Sequence, residues 1–218
     1  MNCDFSVGIV SHRDRRPMMK RLARRMRADV VSEDDGRMGC TTNHIVTLDR
    51  LHDETGAGWC VVLEDDAVPV RDARRHIQKA LCSAPTSIVS FYLGTSYPQF
   101  WQPGVERAIA DAEEADVQWI VGEHLLHAVG YAVRRHTIPD LTDFLGHNRT
   151  LPIDEAITQW ARPRARAVGY TVPSLVNHAD GVTVESHRDG IRRTNPRVAH
   201  RFGVPRTWSR ESVPLEYI

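Results

Sequence analysis

The chain has 218 residues, 41% of them hydrophobic and 26% charged, and its 28 basic side chains balance 28 acidic ones. That length buries a core without disulfide staples, and the composition excludes global disorder. No apolar run approaches the ~20 residues that span a bilayer. Met1 to Phe5 lack the basic-then-apolar pattern of a secretory signal, so the expected location is the cytoplasm, bacterial or of a phage-infected cell.

Phe5 to Val10 read as a buried strand, and Ser11 to Arg16 as a polar loop. Pro17 then suits a helix first turn, with Met18, Met19, Leu22, Ala23 and Met26 at helical spacing. Ala28 to Val31 read as a strand, Gly36 to Gly39 as a loop, and Thr41 to Thr55 as a helix stopped by Gly56-Ala57-Gly58. Trp59 to Leu63 form a strongly apolar strand that runs into Glu64-Asp65-Asp66. A helix over 70–84 and a strand over 88–93 follow, then a mixed stretch over 95–118 without a clear period. Strands are expected at 119–121, 125–133 and 167–172, and helices at 138–145 and from about 151 to 161. Strand and helix patterns alternate in this way in α/β folds. One domain over 1–187 is expected, with an Arg-rich arm over 188–218 of little regular structure.

Charge is unevenly placed. Residues 11–28 carry eight basic groups against Asp14, and 186–210 carry seven arginines against Asp189. All cationic side chains but Lys20 and Lys79 are arginine. A GC-rich coding sequence explains that bias, and so does a need for planar phosphate contacts. Cys3, Cys40, Cys60 and Cys82 match no zinc or redox spacing and read as reduced thiols, with Cys60 and Cys82 in the core.

The sharpest feature is Leu63-Glu64-Asp65-Asp66 at the tip of an apolar strand. Neighbouring carboxylates repel, and a divalent cation offsets the repulsion; oxygen ligands suit Mg²⁺ or Mn²⁺. Ligands of open α/β sheets collect beyond the carboxyl ends of strands, where this cluster falls. The competing reading is a helix start that favours acids.

Leu63-Glu64-Asp65-Asp66 resembles the metal-binding motif of glycosyltransferase family 25, the lipopolysaccharide and collagen galactosyltransferase type. Other stretches resemble the same family in order. They are Ile9-Val10-Ser11-His12-Arg13-Asp14-Arg15-Arg16, Gly39-Cys40-Thr41-Thr42-Asn43-His44-Ile45, His127 to Val133, Leu151-Pro152-Ile153-Asp154, and Val172 to His178. The chain departs from the pattern at Asn43, where Ser is usual, and at His178, where Gln is common.

The resemblance implies a GT-A (nucleotide-diphospho-sugar transferase) Rossmann-like fold with a mixed central sheet. It implies transfer of a hexose from a nucleoside-diphosphate sugar, UDP-glucose or UDP-galactose, to a hydroxyl. Asp65 and Asp66 would hold Mn²⁺ or Mg²⁺, with His178 as a third ligand from a late cluster that includes Asp180 and His187. Ser11, His12, Arg13 and Arg15 would lie near the nucleotide, and Glu64 against the ribose or behind the ligands. Asp154 would take the acceptor proton, with Glu155 as competitor; Asp154 also suits a helix cap. His44 and His127 either line the acceptor pocket or are structural.

For the acceptor, the Arg-rich segments, Arg188, Arg192 and Arg193 among them, suit a phosphate backbone. Tyr97, Phe100, Trp101 and Trp208 suit stacking on a flipped base. These features point first to a 5-hydroxymethylpyrimidine in double-stranded DNA, as in phage DNA modification. A cell-envelope glycan is the alternative acceptor. A non-enzymatic nucleic-acid-binding protein and a metal-dependent phosphoesterase are the alternative classes.

Overall fold

A computed structural model describes residues 3–95, 97–179 and 196–217. β1 (Phe5–His12) turns Val7 and Ile9 to one side of a sheet and Val10 to the other. A short 3₁₀ turn, Arg13–Arg15, leads into α1 (Arg16–Met26), which buries Met19, Leu22 and Met26. β2 (Val30–Asp34) lies parallel to β1, and α2 (Cys40–Glu54) crosses back to β3 (Trp59–Glu64) on the other flank of β1. The turn at 65–66 is followed by β4 (Ala67–Pro69), α3 (Ala73–Ser83) and β5 (Ile88–Ser90). Next come α4 (Gln102–Glu114), β6 (Trp119–Gly122), β7 (Gly130–Arg134) and α5 (Ile138–His147). The order closes with α6 (Ile153–Ala161), β8 (Val168–Thr171), β9 (Val176–His178) and β10 (Val213–Pro214).

The strands form one mixed eight-stranded sheet, ordered β10-β6-β8-β5-β7-β3-β1-β2, and a separate β4-β9 pair. α1 and α3 pack on one face around Trp59, Val61 and Phe91. The helices α2, α4, α5 and α6 cover the other face around Val62, Tyr131 and Trp160. The expected α/β class with a mixed central sheet is therefore present. α2 approaches β1 so closely that a Cβ on Gly8 would lie 2.4 Å from Thr47 Cγ2 and 2.9 Å from Leu51 Cδ1. Only a residue without a side chain admits that contact.

Some expectations need correction. The mixed stretch 95–118 contains α4. Pro103 sits in its first turn, and Val105, Ala108, Ile109 and Ala112 make a buried stripe at helical spacing. The helix expected over 70–84 begins only at Ala73, because 67–69 pair with β9 instead. The strand expected over 125–133 begins only at Gly130.

Cys60 is buried, but Cys82 is exposed and forms a disulfide with Cys3. Ala80 and Leu81 fill the buried face of α3, and Cys82 is the next residue round, turned away from the core. Disulfides persist mainly in oxidising compartments, so this pair does not support the cytoplasmic expectation. No helix among the described residues is long and apolar enough to cross a membrane.

Residues 196–217 lie along the sheet. Leu93 C=O accepts the His200 N–H at 3.0 Å, Trp208 packs on Trp119, and β10 pairs with β6.

Candidate active site

β1 and β3 run parallel with Val10 opposite Glu64, so His12 and the 65–66 turn end side by side. Asp65 and Asp66 are 5% and 4% exposed. Asp65 Oδ2 accepts the His12 backbone N–H at 2.8 Å, and its Oδ1 accepts Arg15 Nη1 at 3.1 Å. The same Arg15 nitrogen donates to Asp66 Oδ2. The β4–β9 pair sets Ala67 opposite His178 and brings His178 Nε2 to 3.2 Å from Asp66 Oδ2. Burial alone would push the Asp66 carboxyl up; the His178 and Arg15 partners reverse this and hold it below the usual range.

These contacts change the reading of the acidic cluster. The repulsion assigned to a divalent cation is offset here by the Arg15 guanidinium and the His178 imidazole. Asp66 Oδ1 is nonetheless buried and accepts no hydrogen bond from the described residues. The two carboxylates, with one uncommitted oxygen, are donors of the type a hard divalent cation takes, whereas the His178 imidazole suits a borderline ion better. Asp65, Asp66 and His178 are not themselves drawn into a convergent trio.

Among the described residues, such convergence occurs at Cys40, His44 and Glu64, whose ligand atoms all lie within 4.8 Å of one another. Glu64, the last residue of β3, is 3.6 Å from His44 Nε2. His44 Nδ1 and the Tyr131 hydroxyl are 3.0 Å apart. His44 has no exposed surface, so the expected acceptor contact is corrected: it touches Glu64 and Tyr131 instead. On β2, Asp34 Oδ1 accepts the N–H groups of Gly36, Arg37 and Met38, and its Oδ2 accepts that of Gly39. Against its own burial, those four bonds lower the Asp34 carboxyl and fix the loop entering α2.

A cleft of about 1150 Å³ opens beside α6. Asp154, Glu155, Thr158 and Gln159 of α6 line one wall, and Tyr97, Phe100 and Trp101 the other. Asp154 is half-buried in the first turn of α6. Burial, aided by repulsion from Glu64 and Glu155, raises its carboxyl to about 7. It does not cap the helix in the expected way: Pro152 holds that position, and Asp154 Oδ1 accepts the N–H of Glu155. Glu155 itself is exposed. Arg162 and Arg166 line the same cleft. His127 Nε2 lies 2.6 Å from the Tyr97 carbonyl oxygen, and burial pushes its imidazole down to about 4. Tyr92 packs against both His127 and His178.

The structure thus gathers His12, Arg15, Glu64, Asp65, Asp66 and His178 at one sheet edge, with Asp154 near enough to sense the charge of Glu64. Ser11 is buried, its carbonyl oxygen accepting from Asn43. Arg13 is exposed and, among the described residues, its side chain pairs with Asp14 at 3.8 Å. The exposed arginines of α1 lie on the sheet face opposite the cleft. Trp208 is partly buried and packs on Trp119. Asp180, His187, Arg188, Arg192 and Arg193 lie outside the described residues.

Sequence reasoning does not find Asp34 as the residue that fixes the loop entering α2, nor Tyr131 as the partner of His44. The Gly36 and Gly39 spacing after Asp34 signals a turn, whereas Tyr131 looks like any core aromatic. No protein-family model matches the chain, and no curated protein matches it in sequence.

Proposed function

We propose that the protein is a glycosyltransferase that moves a hexose from a nucleoside-diphosphate sugar, UDP-glucose or UDP-galactose, to a hydroxyl. It would be a GT-A enzyme within its α/β class. The observation that carries the reading is one juxtaposition. A buried aspartate pair with an arginine closes the carboxyl ends of β1 and β3, and the adjoining cleft holds a carboxylate tuned near neutrality.

In this reading Asp154 accepts the proton of the acceptor hydroxyl as its oxygen bonds to the anomeric carbon. The bond from that carbon to the diphosphate oxygen breaks in the same step, and the electron pair leaves with the diphosphate. Arg15 and the His12 loop face the phosphates; an arginine suits their oxygens. Mn²⁺ or Mg²⁺ held by Asp65, Asp66 and His178 would supply charge compensation for the leaving diphosphate.

The acceptor in this proposal is a 5-hydroxymethylpyrimidine in double-stranded DNA. Its support is the cleft wall of Tyr97, Phe100 and Trp101, with Arg162 and Arg166 in the same cleft. The test is release of nucleoside diphosphate from a panel of sugar donors with Mn²⁺, with and without hydroxymethylcytosine-containing DNA. Release stimulated by the DNA and abolished by a chelator supports both donor and acceptor. Release that ignores the DNA keeps the enzyme class and moves the acceptor to an envelope glycan. No release from any donor refutes the enzyme and returns weight to a phosphoesterase or a nucleic-acid-binding protein.

A further inference from the structure

We propose that Cys40, His44 and Glu64 form a zinc-class metal site, separate from the Asp65–Asp66 pair. Cys40 and His44 are spaced i and i+4 on α2, so both side chains rise from one helix face. Glu64 comes to them from the end of β3. A thiol, an imidazole and a carboxylate together suit a borderline-soft ion such as Zn²⁺ far better than Mg²⁺. The three ligand atoms lie within 4.8 Å of one another, and His44 Nε2 is 3.6 Å from Glu64 Oε1. Zinc bonds of ~2.0–2.3 Å in tetrahedral geometry space ligand atoms by roughly 3.3–3.8 Å. Side-chain rotations of Cys40 and Glu64, both only partly buried, close the difference around a rigid His44.

What lies behind the imidazole supports the assignment. Metal-bound histidines ordinarily hydrogen-bond through their second nitrogen to a fixed partner. His44 Nδ1 has the Tyr131 hydroxyl at 3.0 Å, and Tyr131 is itself fully buried. Binding is then a proton exchange. The Cys40 thiol loses its proton to solvent. The His44 ring carries its remaining proton on Nδ1, donated to the Tyr131 oxygen, and Nε2 offers its lone pair to the ion. The affinity must therefore rise with pH. Three protein ligands leave a fourth position for water or a substrate atom, as in catalytic rather than structural zinc sites. Nothing in this assignment depends on the glycosyltransferase reading.

The test is Co²⁺ titration of the full chain, following the near-ultraviolet thiolate-to-cobalt charge-transfer band, with Zn²⁺ as competitor. One equivalent should raise the band, and Zn²⁺ should bleach it. Cys40→Ser should abolish it. Glu64→Gln should weaken binding by roughly 10-fold or more, and Tyr131→Phe by ~10–100-fold. Cys60→Ala and Asp66→Asn should both retain the band. Absence of a thiolate band in the wild-type protein overturns the proposal. So does a band that survives Cys40→Ser or follows Cys60, or unchanged affinity in the partly exposed Glu64→Gln variant.

Discussion

Arg15→Ala removes the cation shared by Asp65 and Asp66 and leaves Asp66 with His178 alone. Breaking a buried ion pair by deleting one partner costs ~3–5 kcal/mol. Arg15 keeps 14% of its side chain exposed, and His178 remains in place. Both reduce the loss, and we expect about 2–3 kcal/mol at pH 7, or a melting temperature lower by roughly 4–12 °C. The pH dependence carries the diagnosis. His178 and Arg15 hold the Asp66 carboxyl below its unfolded value. The folded state therefore binds fewer protons there, and the resulting stability exists above the unfolded pKa and fades as pH falls through the folded one. Without Arg15 the carboxyl titrates higher. The deficit against wild type should be full at pH 7 and shrink toward pH 3, below the unfolded value of 3.8, as the carboxylate is neutralised. Urea unfolding followed by circular dichroism, at both pH values and with Asp66→Asn and the double variant, completes the cycle. The double variant should lose less than the sum of the single ones. Equal losses at pH 7 and pH 3, or strict additivity, would refute Arg15 as the counter-charge.

Asp154→Asn should lower turnover by ~10²–10⁴-fold, and in the wild type activity should climb as pH rises through about 7, where this carboxyl loses its proton. The stability sign is opposite to that of Asp66. The folded Asp154 holds a proton the unfolded chain has released, so stability falls from about pH 4 to about 7, and Asp154→Asn should raise the melting temperature at pH 8 and not at pH 4. Gly8→Ala should cost ~1–3 kcal/mol through overpacking, and Thr47→Ser, which removes Cγ2, should restore part of it in thermal melts. Thiol titration in denaturant should count two cysteines without reductant and four with it; four without reductant would dispose of the Cys3–Cys82 bridge.

Much of the sheet is legible along the chain. Val7, Ile9, Val61, Val62 and Leu63 form uninterrupted apolar runs because strands buried on both faces exclude water throughout. Met19, Leu22 and Met26 repeat at helical spacing because one face of α1 meets the core. Position along the chain also placed Glu64, Asp65 and Asp66 at a strand end. The stripe of α4 was equally present in the sequence, although acidic residues and aromatics around it obscured the period.

Which groups meet those acids was decided only by tertiary structure. Arg15 lies 50 residues before Asp65, and His178 reaches Asp66 only because β9 pairs with β4. Local sequence fixes backbone preference and hydrophobic pattern, which act over a few residues. Charge compensation and pKa depend on through-space distance and burial, which exist only after the strands have paired. The same holds for Cys40, His44, Glu64 and Tyr131, which are drawn from one helix and two strands. Cys82 illustrates the converse: its apolar neighbours suggested a core thiol, and one further residue of helical rotation placed it at the surface beside Cys3.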